Sequence, residues 1–185
     1  MTKIFSKEDA VTVYLLPYDN FTQKEAKAVV KDLRAKFDPL VKTKIQYEIL
    51  PAAKLPASCL NGAKTRYRAM KILELEEGMD LPTDGIIMGL THKDISTTAH
   101  GVEDFGIMGQ AYLERPYCVV SDFRVRNKSN LWKVVSHEFI HTYYHYGHCP
   151  QDDPECIIKD AKGKENLPKK HHLCDVCKKN LNSKY

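Results

Sequence analysis

The sequence lacks any apolar run long enough to cross a membrane, because its hydrophobic stretches end well short of the roughly 20 residues that a spanning helix requires. It also lacks blocks of like charge, since lysines and acidic residues alternate and the net charge is only +4. Nucleic-acid-binding chains usually concentrate basic residues on one segment or face. We therefore expect neither a membrane nor a nucleic acid among the partners.

The sequence also lacks a recognisable secretion signal and any internal repeat. Residues 1–10 are rich in charged and polar side chains, and no small-residue cleavage site follows the short apolar stretch 11–16. We therefore expect a cytoplasmic protein. The length suits one main domain with a small appendage, and we expect a monomer.

Apolar residues become scarce after Pro150, and a segment of that composition cannot order itself by burial alone. Four of the six cysteines lie immediately before or beyond this boundary: Cys149, Cys156, Cys174 and Cys177. Without a secretion signal, clustered cysteines indicate metal ligands before disulfides. Residues 149–185 are therefore predicted to be a small metal-bound subdomain attached to a main subdomain at 1–148. Redox-active thiols remain the alternative.

The main part of the chain predicts an α/β (α+β) fold. Helices are predicted by apolar stripes at helical spacing, the first of them opened by a capping box of Thr22 and Glu25. Strands are predicted by β-branched runs or by alternation of apolar and polar residues. The predicted helices are 22–37, 66–77 and 130–146, and the predicted strands are 11–16, 44–50, 85–90, 105–112 and 117–123.

The last predicted helix contains the motif HExxH, formed by His137, Glu138 and His141. Histidines four residues apart lie one turn apart on the same helix face, close enough to bind one ion. A glutamate beside the first ligand can reach a water on that ion without binding the metal itself. This arrangement is typical of zinc enzymes that hydrolyse peptide bonds.

A third ligand must come from the residues that follow, where the candidates are His145, His148 and Cys149. On a continued helix, His148 would lie about 10 Å beyond His141, which is too far to share one ion. The chain must therefore turn back, and Gly147 is predicted to allow the turn. His145 is the alternative, but three histidines along an unbroken helix cannot converge on one tetrahedral ion. We therefore favour His148 and keep His145 open.

With these residues in view, the sequence resembles the archaemetzincins, a compact branch of the metzincin zinc peptidases. The resemblance rests on the HExxH motif, the pair His148–Cys149, Cys156 and the CxxC pair Cys174 and Cys177. It extends upstream through GLTHKDIS at 89–96, GIMGQAY at 106–112 and CVVSDFRV at 118–125, and therefore covers most of the chain.

The resemblance implies a compact, minimal metzincin-like fold: a twisted mixed sheet with two backing helices, an active-site helix and a zinc-stapled C-terminal part. It implies two zinc ions and a peptide or protein substrate, which would pair with an edge strand at 106–112. Glu138 would be general base and acid. The catalytic ligands would be His137, His141 and His148, and the structural ligands would be Cys149, Cys156, Cys174 and Cys177.

The sequence departs from the family pattern in three places. One extra residue separates His141 from His148, two extra residues separate Cys149 from Cys156, and Ile157 and Ile158 stand where the family has a methionine. These departures motivate an alternative, a catalytically impaired zinc protein that binds peptides or a protein partner. A protease of the SprT-like type, acting on DNA-associated proteins, is less favoured because acidic residues interrupt the lysines of the tail.

Overall fold

The computed structural model describes residues 10–161 and 166–183 and confirms the predicted α/β fold. Residues 1–9, 162–165 and 184–185 lie outside the described residues. The secretion-signal prediction was drawn from residues 1–16, most of which therefore also lie outside. The helices are α1 Gln23–Lys36, α2 Ala69–Gly78, α3 Leu131–Tyr144 and α4 Asp175–Ser183. The strands are β1 Val11–Pro17, β2 Ile45–Ile49, β3 Tyr67–Arg68, β4 Ile86–Thr91, β5 Ile95–Ala99, β6 Val102–Ile107, β7 Gly109–Ala111 and β8 Tyr117–Ser121.

The main sheet has five strands in the order β2-β1-β4-β8-β7. The first four run parallel, and β7 pairs antiparallel with β8 at one edge. All residues of β4 and nearly all of β1 are buried, because helices cover both faces of the parallel strands. This explains why these strands appear in the sequence as continuous apolar runs.

Alternate residues of β1 enter two different apolar clusters. Val13 and Leu15 pack with α1 and α3 on one face of the sheet, whereas Tyr14 and Leu16 pack with α2 on the other. Burial of each such side chain stabilises the fold by roughly 1.5–3 kcal/mol. Helix α3, which carries the HExxH motif, therefore shares its face with α1, and α2 backs the opposite face.

The start of α1 is confirmed in detail, whereas the start of α2 was predicted too early. Thr22 and Glu25 form the reciprocal capping box, and the predicted apolar stripe of α1 is buried. At the second helix, residues 67–68 form β3 and pair with β5. Arg66 binds Asp94 and Arg68 binds Asp104, so tertiary ion pairs hold this segment extended.

The predicted strand 105–112 was wrong as a single element. Its first half belongs to β6 in a small sheet of order β3-β5-β6, and its second half is β7 in the main sheet. The chain changes sheet at Met108. Strand β5 was not predicted, because its sequence, ISTTA, has little apolar alternation.

The tail packs into the main apolar cluster. Ile157 and Ile158 are fully buried, and Leu173 is also buried in the cluster that contains α3. Helix α4 was not predicted. The proposed division at 148/149 stays a prediction. None of the described helices is both long and apolar enough to cross a membrane.

Candidate metal centres

Helix α3 presents His137 and His141 one turn apart, as the motif predicts. The Nδ1 atom of His137 lies 2.9 Å from the carbonyl oxygen of Ile157, and that of His141 lies 2.6 Å from the carbonyl oxygen of Tyr146. Only a protonated Nδ1 can donate to these carbonyls, so each ring must be protonated at Nδ1. These contacts fix the tautomer and the orientation of both rings, as is typical of metal-binding histidines.

The two remaining ring nitrogens face each other. The Nε2 atoms of His137 and His141 are 3.0 Å apart, and in neutral rings both carry a lone pair. Two lone pairs at that distance repel each other unless a cation lies between them. With metal–nitrogen bonds of about 2.0–2.1 Å, both nitrogens can bind one zinc ion. The pair therefore fits a metal in its present geometry.

Burial keeps these histidines neutral. It lowers the pKa of His137 well below its usual value, and it lowers the pKa of His141 to about 4. Burial also lowers the pKa of His148. Neutral imidazole is the form that binds metal, so protons do not compete for these ligands near neutral pH.

His148 joins the pair after a sharp turn. Its ring centroid lies 5.2 Å from that of His137 and 4.8 Å from that of His141, and one ligand atom from each ring lies within 4.8 Å of the others. The rival His145 is exposed, and its Nδ1 contacts the carbonyl oxygen of Leu113. The structure therefore brings His148, and not His145, to the pair.

The residue that makes the turn is His145, so the prediction for Gly147 was wrong. His145 ends α3 with φ 50° and ψ 40°, in the left-handed region. Among the described glycines, Gly101 has a positive φ, whereas Gly147 does not. Histidine is one of the residue types that enter this region more often than most. The reversal at His145 brings the next residues back along the helix end.

Glu138 lies beside this cluster and is almost fully buried. Burial raises its pKa to about 8, and the positive charge of Lys170 opposes the shift. The carboxylate packs against Gly109 of β7, where an added Cβ would lie 2.5 Å from Oε1. The position of Glu138 therefore requires a glycine at position 109, because a side chain there would clash with the carboxylate. The sequence alone did not reveal this requirement.

A cleft of about 910 Å³ lies in front of these groups. Its lining includes the three clustered histidines, Glu138 and residues 109–111 of β7. Lys170 also lines the cleft, although it is only 3% exposed. No sequence motif marked Lys170, because its position depends on how the tail folds back.

The four tail cysteines form a second cluster. Their sulfur atoms all lie within 4.8 Å of one another, and the Sγ atoms of Cys149 and Cys174 are 3.6 Å apart. All six cysteines of the chain are free thiols. Burial raises the pKa of Cys149 to about 11, so a metal would have to displace its proton. Four converging thiols suit a closed tetrahedral zinc site.

Cys59 and Cys118 are both buried as single apolar residues, as their sequence context predicts. One further group, on the tail surface, brings together Glu155, His171 and His172. It is largely exposed, and His172 already pairs with Asp153 at 2.7 Å.

Comparison with known proteins gives matches at the level of structure. No protein-family model matches the sequence, and no curated protein matches it significantly. The archaemetzincin of Methanopyrus kandleri superposes with a TM-score of 0.77 at 22% identity, covering 96% of this chain and 97% of its own. The archaemetzincin of Archaeoglobus fulgidus, solved with malonate, gives a TM-score of 0.66 at 23% identity, covering 92% of this chain and 99% of its own.

At these identities, the likeness establishes the fold. The chain has the archaemetzincin fold along almost its whole length, and the resemblance drawn from the sequence is confirmed at that level. The described residues include two clusters that could hold a metal at the places where the resemblance predicts zinc.

Proposed function

Because this chain has the archaemetzincin fold, we propose that it is a zinc metallopeptidase of the archaemetzincin family, which hydrolyses peptide bonds. The observation that supports it best is that the Nε2 atoms of His137 and His141 face each other at 3.0 Å, beside Glu138, in an open cleft. We further propose that it acts in the cytoplasm, as a monomer, on peptide or protein substrates.

The catalytic zinc would be held by His137, His141 and His148, whose geometry leaves the cleft side open. When bound there, zinc would polarise the scissile carbonyl and lower the pKa of a bound water to roughly 7. The backbone carbonyls of Ile157 and Tyr146 hold the ligand rings in place, so little rearrangement is needed for binding.

Glu138 would move the proton. Its carboxylate lies in the cleft next to the histidines, held from behind by Gly109. In the ionised form it would accept a proton from the attacking water on one of its Oε atoms. It would then donate this proton to the nitrogen of the leaving amine, acting first as general base and then as general acid.

The substrate would bind along β7. This short strand lies at the edge of the main sheet, antiparallel to β8, and its three residues line the cleft. An edge strand can pair with an extended peptide through backbone hydrogen bonds, which would place a peptide bond above Glu138. The pairing segment would therefore be Gly109–Ala111, which is shorter than the predicted 106–112.

The second zinc would be structural, held by Cys149, Cys156, Cys174 and Cys177. Four cysteine ligands leave no position for water, so this site would stabilise the tail without taking part in the chemistry. Its binding energy would add to the folding energy of a segment with few apolar residues.

The proposal is tested by measuring metal content and peptide cleavage together in the wild type and in Glu138→Gln. We expect two zinc ions per chain in both proteins, and cleavage of a diverse peptide library by the wild type alone. Glu74→Gln, an exposed change on α2, is the matched control and should remain active.

His137→Ala should bind one zinc ion and have no activity. Two zinc ions in a wild type that cleaves no peptide of the library would favour the impaired peptide-binding protein. One zinc ion in the wild type, lost on Cys174→Ser, would rule out the catalytic site.

A further inference from the structure

Lys170 occupies a position that the proposed mechanism does not use. It lies in the tail between the 3-10 turn Leu167–Lys169 and the CxxC pair, yet its side chain lines the catalytic cleft. Its residue is 3% exposed, whereas its neighbour Lys169 is exposed. A lysine is rarely buried to this extent without partners that justify the loss of hydration.

Two backbone carbonyls receive the ammonium group. Lys170 Nζ donates to the carbonyl oxygen of Ile157 at 3.2 Å, and it also donates to the carbonyl oxygen of Lys159. These carbonyls belong to the turn that follows Cys156. The lysine therefore closes this turn from the side of the cleft.

The carbonyl of Ile157 is shared with a metal-binding histidine. It accepts one hydrogen bond from His137 Nδ1 at 2.9 Å and a second from Lys170 Nζ. A carbonyl oxygen has two lone pairs, so both donors can be satisfied at once. The position of the His137 ring thus depends on a carbonyl that Lys170 also holds.

The electrostatic surroundings are consistent with a retained positive charge. Burial lowers the pKa of Lys170 to about 8, and the nearby acidic groups Cys156, Asp160 and Glu138 oppose the shift. A zinc site of four cysteine thiolates would carry two net negative charges. Cys156, next to Ile157, would be one of its ligands. The ammonium therefore lies where both the carbonyls and the thiolates favour a cation.

We infer that Lys170 is a positioning residue of the catalytic metal site, which fixes the Ile157 carbonyl and through it the metal-binding orientation of His137. This inference rests on the proposed function, because it concerns the metal held by His137, His141 and His148.

The test compares the wild type with Lys170→Met, which keeps the length and apolar stem of the side chain but removes the donors. Lys169→Met is the matched control, being an adjacent lysine changed in the same way on an exposed site. Zinc affinity is measured for each of the two equivalents by competition with a chromophoric chelator. Cobalt substitution identifies the cysteine-bound equivalent by its thiolate charge-transfer band.

We expect Lys170→Met to weaken the histidine-bound equivalent by roughly 10–100-fold, the usual effect of losing a contact that orients a ligand. The cysteine-bound equivalent should remain saturated, and Lys169→Met should match the wild type at both sites. Unchanged affinity of the histidine site in Lys170→Met would overturn the inference. Loss of both equivalents together would also overturn it, since that would show general collapse of the tail.

A spectroscopic measurement on the zinc-loaded proteins provides a second test. Its expected result would not follow if Lys170 had a purely structural role. In Lys170→Met, the Nδ1 proton of His137 should exchange with water faster. The Nδ1 proton of His141, bonded to Tyr146, should exchange at the wild-type rate. Equal changes at both protons would contradict the inference.

The two proposals fail in different ways. A wild type that binds only the cysteine-held equivalent would remove the proposed function itself. A wild type that binds two equivalents, with Lys170→Met indistinguishable from it, would remove the role of Lys170 alone.

Discussion

At the scale of single residues, Glu138 depends on the absence of a side chain opposite it. A Cβ at Gly109 would lie 2.5 Å from Oε1 and 2.7 Å from Cγ of the glutamate. Contacts that short do not occur, so either the strand or the carboxylate would have to move. The same edge strand is the proposed substrate-binding segment, and one glycine thus links this strand to Glu138, the proposed proton-transfer group.

We predict that Gly109→Ala lowers kcat/KM by about 100-fold, because a displacement of about 1 Å at a catalytic group can cost that much. Both zinc ions should remain bound. The control is Gly147→Ala, which also lines the cleft but has no atom within 4 Å of the added Cβ and no positive φ. Peptidase assays in which both variants lose equal activity would contradict the steric explanation.

Glu76 is a second buried carboxyl group, on the opposite face of the sheet. It is 0% exposed, its Oε1 accepts a hydrogen bond from the Tyr18 hydroxyl at 3.2 Å, and its Oε2 has no hydrogen-bond partner among the described residues. Burial raises its pKa well above the usual 4.5. The folded protein therefore holds a proton that the unfolded chain releases.

This shift makes the stability contribution of Glu76 depend on pH. The contribution is complete below about pH 4.5 and falls by about 1.4 kcal/mol per pH unit as the pH rises toward the folded-state pKa. We predict that Glu76→Gln, which resembles the protonated form, becomes increasingly more stable than the wild type between pH 5 and pH 8. Denaturant unfolding at both pH values measures this, and a pH-independent difference would disprove it.

At the scale of elements, the end of α3 determines which histidine joins His137 and His141 in the candidate metal site. The helix stops at Tyr144, and His145 takes the left-handed conformation that reverses the chain. The extra residue relative to the family pattern lies between His141 and His148. His145 therefore acts through its backbone, and His148 is the third ring of the candidate metal site.

We predict that His145→Gly still binds two zinc ions, because glycine adopts the left-handed conformation without strain. His145→Val should bind the histidine-held zinc more weakly and be less stable than His145→Gly by about 1–2 kcal/mol, since a β-branched residue resists that conformation. Zinc titration and thermal unfolding of both variants provide the measurements. Loss of the second zinc ion in His145→Gly would instead identify His145 as the ligand.

At the scale of the whole molecule, the tail serves both candidate metal sites. The Ile157 carbonyl binds His137, the adjacent Cys156 belongs to the thiol cluster, and His148 immediately precedes Cys149. The hydroxyl of Tyr146, whose carbonyl binds His141, lies 3.7 Å from Cys177 Sγ. Disturbing the thiol cluster should therefore also disturb the histidines.

We predict that Cys174→Ser lowers the melting temperature and raises amide hydrogen exchange in 149–161 and 166–183 before the main sheet is affected. Zinc at the histidine site should also bind more weakly, through the contacts described above. Cys59→Ser is the control, because this single thiol lies in the cluster on the α2 face. Uniform exchange along the chain would argue against a tail held mainly by its metal.

Much of the fold followed from the sequence because local signals and tertiary packing agree there. Apolar runs marked the central parallel strands, alternation marked β2, and a helical stripe with a capping box marked α1. Predictions failed where distant contacts override local preference. Ion pairs with Asp94 and Asp104 hold residues 66–68 extended, and the change of sheet at Met108 splits one predicted strand into two.

The sequence by itself determined the residue types of the candidate site and their grouping, because ligand spacing on a helix is a local property. HExxH placed His137, Glu138 and His141, and the clustered cysteines indicated a second metal. Only the tertiary structure decided between His145 and His148, since one backbone conformation separates them. It alone revealed Gly109 and Lys170, because their roles depend on what the folded chain brings within a few ångströms of Glu138 and His137.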